Sequence, residues 1–156
     1  GPLMVALSNL TEHYQKLLGN LECPSFESEP WVNPGPLKDR RVTIISSGGI
    51  HHRDEVPFKG GDFGYRTIPA NADARDIVMS HVSVNFDRTA FQQDLDAIFP
   101  LSHLADMAAD GTIGSVATDH YSFMGATDPA LMEDDARELA GRLQADNVDT
   151  AVLIPV

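Results

Sequence analysis

The sequence predicts an α/β protein: a three-layer, Rossmann-like or flavodoxin-like fold on a mostly parallel sheet of about four strands. Three observations carry this expectation. Four short runs, residues 41–46, 76–82, 113–117 and 150–154, are β-branched or apolar on both faces, as strands buried in a parallel sheet are. Segments with apolar residues at helical spacing lie between the second and third runs and between the third and fourth. A length of 156 residues suits one domain of this kind. Strand and helix in alternation imply parallel strands joined by right-handed helical crossovers.

Taken in order, Gly1-Pro2-Leu3 ahead of Met4 reads as a protease-cleavage scar, so residues 1–3 stand outside the fold. Residues 4–36 read as a helix and an irregular leader. Leu10, Tyr14, Leu17, Leu18 and Leu21 make one apolar stripe over 8–21, with Asn9 and Glu12 as a weak capping box. Pro24, Pro30, Pro34 and Pro36 then interrupt both kinds of ladder, and Trp31 among them is expected to pack on the core rather than line a pocket. Residues 37–156 are the α/β domain. Helices are expected over 88–99, capped by Asp87, and over 100–109, closed by Gly111. A further helix over 129–146 opens on Pro129, with a stripe of Met132, Ala136, Leu139, Ala140 and Leu143. Its acidic start, Glu133-Asp134-Asp135, suits the helix dipole. Residues 47–71 show no convincing helix, and so long a loop in a small domain is expected to be functional.

Charge narrows the partners. With 11 Lys and Arg against 23 Asp and Glu, the net charge is −12, which disfavours nucleic acid and anionic membrane. One cysteine, Cys23, permits no intrachain disulfide and no cysteine-rich zinc module, and fits a reducing compartment. The longest apolar runs, 42–45 and 151–154, are far below the roughly 20 residues that span a bilayer, and no secretory signal opens the chain. A cytoplasmic location is expected.

Ligands of open α/β sheets bind beyond the carboxyl ends of the strands. Four of six histidines, His51, His52, His81 and His120, fall there. Gly48-Gly49 is a turn or an anion cradle; no GxGxxG or P-loop accompanies it. The four histidines with Asp54 and Glu55 offer metal chemistry, although neighbours in extended chain point opposite ways, and no metal is expected. Asp87 reads as a cap before a general base. His120 and Tyr121 are either an acid/base pair or core residues. Cys23, far from any strand end, is expected to be an inert thiol.

Ser47-Gly48-Gly49-Ile50-His51-His52-Arg53, Tyr65-Arg66-Thr67-Ile68-Pro69, the stretch from Ser80-His81 through Asn85-Phe86-Asp87-Arg88, and His120-Tyr121-Ser122-Phe123-Met124-Gly125 resemble the glycine/sarcosine/betaine/D-proline reductase selenoprotein B family, especially its short stand-alone members. The resemblance runs from about Trp31 onward. It implies reductive cleavage of a carbon–heteroatom bond, usually C–N in an amino acid or amine, by a selenolate or thiolate nucleophile. Ser47, Gly48, Gly49, His51, His52, His81, Asn85 and Asp87 would bind substrate, with His120 and Tyr121 as acid/base groups. No cofactor is implied; the partners are a small-molecule substrate and a redox protein. In that family the strand matching 151–156 leads into the loop carrying the nucleophile, whereas here the last residue is Val156. The expectation is therefore a C-terminally incomplete domain without its nucleophile, through a UGA codon read as stop or a shortened chain rather than natural loss. A buried apolar strand with a bare face is expected to drive homo-oligomerisation. A non-catalytic binding or regulatory module and a histidine-metal protein are the alternatives.

Overall fold

Strand β1 (Arg41–Ser46) organises the sheet because from Val42 to Ser46 its residues are apolar or small on both faces, and all of these are buried except the half-buried Ile45. The computed structural model describes residues 7–20, 25, 29, 32, 35–83 and 88–156. Cys23, Trp31, Asn85 and Asp87 lie outside the described residues. The other strands are β2 (Ile50–His52), β3 (Tyr65–Pro69), β4 (Ile77–Met79), β5 (Ser115–Val116), β6 (Asp119–Phe123) and β7 (Thr150–Ile154). The helices are α1 (Glu12–Gly19), α2 (Thr89–Gln93), α3 (Leu101–Ala109) and α4 (Glu133–Ala145).

The chain forms two compact units, residues 1–31 and 32–156. In the first, α1 starts at Thr11, which makes no side-chain cap bond, so the Asn9–Glu12 box does not form. Asn9 instead closes a 3-10 turn, Leu7–Asn9, and the helix is shorter than 8–21.

The second unit carries a mostly parallel five-stranded sheet. β1 pairs with β7 in parallel from Val42↔Thr150 to Ser46↔Ile154. Its other side is shared: β5 pairs at Arg41 and Val42, β6 at Ile45 and Ser46, both parallel. β3 closes the far side antiparallel to β6. Helices cover both faces. α3, through Leu101 and Leu104, packs with Val42, Ile44, Phe99 and Ile113. On the opposite face Leu139 and Leu143 of α4 pack with Ile45, Tyr121 and Phe123.

Several expectations need correction. Residues 76–82 do not join the main sheet; β4 pairs antiparallel with β2, Ile50 against Met79, in a separate two-stranded sheet. The 113–117 run shrinks to β5, because a Cβ at Gly114 would stand 2.8 Å from the Asp39 backbone and the chain passes too close there for a regular ladder. The strand after it, β6, was expected as loop, and β2 and β3 lie within the supposedly irregular 47–71. The 88–99 helix is broken at Asp94, whose extended backbone lets its carboxylate accept from the Asp96 N–H. The last helix agrees closely: Asp128 caps a 3-10 turn, Pro129–Met132, which runs into α4. β7 forms as expected but is an edge strand and not buried: Val152 is 37% and Leu153 67% exposed.

Candidate functional site at the carboxyl edge of the sheet

Beyond β1 the chain turns through Ser46–Ser47–Gly48–Gly49, and three loops meet on this turn. Ser46 Oγ donates to the Ile98 carbonyl (3.2 Å) and accepts from the Gly48 N–H (3.1 Å), so the strand end caps itself. The Ser47 N–H donates to the Ile154 carbonyl (3.0 Å) and the Ser47 carbonyl accepts from the Gly125 N–H (2.9 Å). Ser47 Oγ accepts from the Val156 N–H at 2.8 Å. Ser47 thus ties the exits of β1, β6 and β7 together.

Glycine is needed where these backbones touch. A Cβ at Gly125 would lie 2.9 Å from Ser47 Cβ, and one at Gly48 would lie 3.0 Å from the Ile98 side chain. Gly49 has φ +62°, and a Cβ there would meet His81 Cα at 3.0 Å. The Gly49 carbonyl accepts from the Ser80 N–H (2.9 Å), which brings His81 beside the turn. Among the expected binding residues, then, Ser47, Gly48, Gly49 and His81 come together.

The other histidines have separate surroundings. His51 is 2% exposed; its Nδ1–H donates to the His52 carbonyl (2.7 Å), because a carbonyl only accepts, and its ring meets Phe58 edge-on. Arg66 lies over the Phe58 ring, its guanidinium 4.2 Å from the centroid. His52 points out, near Asp54 (3.6 Å), while its N–H donates to Glu55. The Nδ1 of His81 accepts from the Ser83 N–H (3.1 Å), and burial, then Arg88, lowers its pKa.

His120 sits inside the sheet. The break between β5 and β6 leaves the Ile44 N–H without a strand partner, and His120 Nδ1 accepts from it at 3.0 Å. The residue is fully buried, edge-on to Phe99, and burial lowers its pKa to about 4 against an opposing pull from Asp146. Its neutral ring therefore carries the proton on Nε2, which has no hydrogen-bond partner among the described residues. Tyr121, one residue on, faces α4 on the other side of the sheet. The structure does not bring His120 and Tyr121 together as a pair. Among the described residues, no three of His, Cys, Asp or Glu gather around a common metal position.

Ser46, Ser122 and Gly125 were not singled out as site residues from sequence. Ser122 Oγ accepts from the Ile50 N–H (3.0 Å), holding β2 against β6. The available signal was small residues at strand ends, where backbones must approach.

This geometry defines an α/β protein in which the exits of β1, β6 and β7 converge on a serine- and glycine-built turn. The chain belongs to the glycine/sarcosine/betaine reductase selenoprotein B family, which it matches over residues 15–155. It is 29% identical over 120 residues to a D-proline reductase subunit gamma from Acetoanaerobium sticklandii, covering 75% of this chain and 49% of that protein. It is 26% identical over 140 residues to a glycine reductase complex component B subunit gamma from Carboxydothermus hydrogenoformans, covering 85% of this chain and 32% of that protein. The chain thus spans half or less of the length of these curated relatives. No solved structure matches it significantly.

Proposed function

We propose that this chain is the substrate-binding part of a selenoprotein-B-type reductase, acting on an amino acid or amine derivative by C–N cleavage, with the nucleophile supplied from outside these 156 residues. The observation that carries this reading is the Ser47 clasp, which holds Val156 at the end of β7 against the Ser46–Gly49 turn (2.8 Å). A selenolate or thiolate held beside that turn would attack the substrate α-carbon. The C–N bond then breaks and the amine leaves with the electron pair, taking up a proton. A second thiolate next attacks the nucleophile's sulfur or selenium, the carbon takes a proton, and a dithiol from a redox partner reduces the resulting disulfide-type bond.

In this scheme Ser47, Gly48, Gly49, His51, His52, His81, Asn85 and Asp87 make the substrate pocket. His81 stands against Gly49 of the turn, and burial, with Arg88, lowers its pKa and so favours the neutral ring. The reading includes a cytoplasmic location and self-association through β7, which the 67% exposure of Leu153 on that edge strand supports. No described helix is long and apolar enough to cross a membrane.

The test is a titration of the ¹⁵N-labelled chain with sarcosine, betaine and D-proline. Amide shifts confined to 46–52, 80–83 and 124–125 support the reading, and Ser47→Ala should reduce them. Turnover of any of these by the 156-residue chain with dithiothreitol alone would refute the external nucleophile.

A further inference from the structure

At the opposite end of the sheet, the last turn of α4 faces the start of β6 across a cleft of about 330 Å³. Thr118, Asp119, Tyr121, Arg142, Ala145 and Asp146 line it. Alternate residues of a strand share a face, so Asp119 and Tyr121 both turn toward α4 while His120 turns away. Its size lies at the small end of ordinary ligand pockets.

Some of this lining is committed to the fold. The Asp146 carboxylate accepts from the Thr118 N–H (2.8 Å), from Thr118 Oγ1 (3.0 Å) and from Arg41 (2.7 Å). Arg41 also donates to the Asp146 and Val116 carbonyls, both at 2.7 Å. These bonds join the C-terminus of α4 to the β5–β6 break and leave neither partner free for a ligand.

Three groups remain. Tyr121 is 3% exposed and packs edge-on against Tyr65 at 5.5 Å, yet its hydroxyl has no hydrogen-bond partner among the described residues. The hydroxyl oxygen is not itself fully buried, so it opens onto the cleft. The Asp119 carboxylate has neither ion pair nor hydrogen bond among the described residues. Arg142 donates its Nε to Glu138 (3.1 Å) and lies over the Tyr65 ring (5.8 Å), and its two terminal nitrogens make no hydrogen bond among the described residues. One cleft therefore presents a free carboxylate, a free phenol and a partly free guanidinium.

We propose that this cleft binds a small zwitterion the size of an α-amino acid, its carboxylate on Arg142, its ammonium on Asp119 and a hydrogen bond to the Tyr121 hydroxyl. The charge order matches both partners: a guanidinium offers paired donors to a carboxylate, and a lone carboxylate accepts from an ammonium. A singly charged ligand would satisfy one wall and leave the other unpaired. The ligand would bridge β6 to α4 at the amino edge, the far end of the sheet from the Ser47 turn, so it is a second site rather than the proposed substrate turn.

The experiment is an amide-shift titration of the ¹⁵N-labelled chain with glycine, and separately with acetate and with methylamine as the two halves of the charge pair. Glycine should shift 118–121 and 142–146 and saturate, with each half-ligand at least about tenfold weaker, the factor that 1.4 kcal/mol represents. Tyr121→Phe should weaken glycine roughly 3- to 10-fold, the range one hydrogen bond supplies. Asp119→Asn, an isosteric change at a half-buried position, and Arg142→Gln, at an exposed one, should each abolish saturation while leaving the rest of the spectrum in place. Shifts that never saturate, shifts confined to 46–52 and 80–83, or equal binding by all three variants would overturn the proposal. Because the two sites report on different amides, failure here and failure at the Ser47 turn are told apart in one spectrum.

Discussion

Replacing His120 with phenylalanine should exchange stability at neutral pH for stability in acid. In the native chain the ring is fully buried and neutral, its pKa lowered to about 4 from an ordinary 6.5. The unfolded chain takes up a proton at 6.5 and the folded chain does not until about 4. The contribution is therefore complete above pH 6.5 and is lost as pH falls toward 4. Two and a half units at 1.36 kcal/mol each come to roughly 3 kcal/mol. Phenylalanine cannot titrate, so this loss disappears. It also cannot accept from the Ile44 N–H, which is then buried without a partner at a cost of about 1–3 kcal/mol. His120→Phe should accordingly be less stable than the parent by about that amount at pH 7, with the two stability curves crossing near pH 5. Urea unfolding followed by far-ultraviolet circular dichroism at pH 7.0, 6.0, 5.0 and 4.5 measures this. Carboxylates that titrate in the same window are common to both proteins and cancel in the difference. Parallel curves for the two would refute the argument. So would an NMR titration in which the His120 ring protonates near 6.5 in the folded chain.

Gly49→Ala and Gly125→Ala should each destabilise by about 1–3 kcal/mol, from a positive φ against the His81 backbone in the first and contact with Ser47 in the second. At roughly 2–4 °C per kcal/mol, thermal melts resolve this against Gly60→Ala, where a Cβ meets nothing within 4 Å and the melting temperature should hold. Leu153→Lys should abolish self-association by light scattering at tens of micromolar and leave stability within about 0.5 kcal/mol, since that side chain is largely in water. A parent chain that is monomeric under the same conditions removes β7 as the contact.

The strands that could be read from sequence are those whose own composition declares them. Val42 to Ile45 and Ala151 to Ile154 are apolar on both faces, and the stripe of α4 repeats at helical spacing, so local pattern and final structure agree. β6 escaped because His120 and Ser122 look like loop residues. They are fully buried only because the Ile44 and Ile50 N–H groups need acceptors there, and those groups belong to other strands. β3 and β2 escaped similarly, as short segments whose pairing energy comes from partners distant in sequence. The structure gathers Ser47, Gly48, Gly49 and His81 around one turn at the carboxyl edge. His120 and Tyr121 face opposite sides of the sheet, which a reading of adjacent residues as a pair does not anticipate.

By itself, then, the sequence determined the fold class, the family and the glycine-marked turn, because hydrophobic period and local backbone freedom are properties of neighbouring residues. Only the tertiary structure decided that β4 pairs with β2, that β7 is an exposed edge, that Ser47 grips Val156, and that Tyr121 and Asp119 open onto α4. Those outcomes depend on which buried donors and acceptors must meet across the chain, and no short stretch of sequence contains both halves of such a bond.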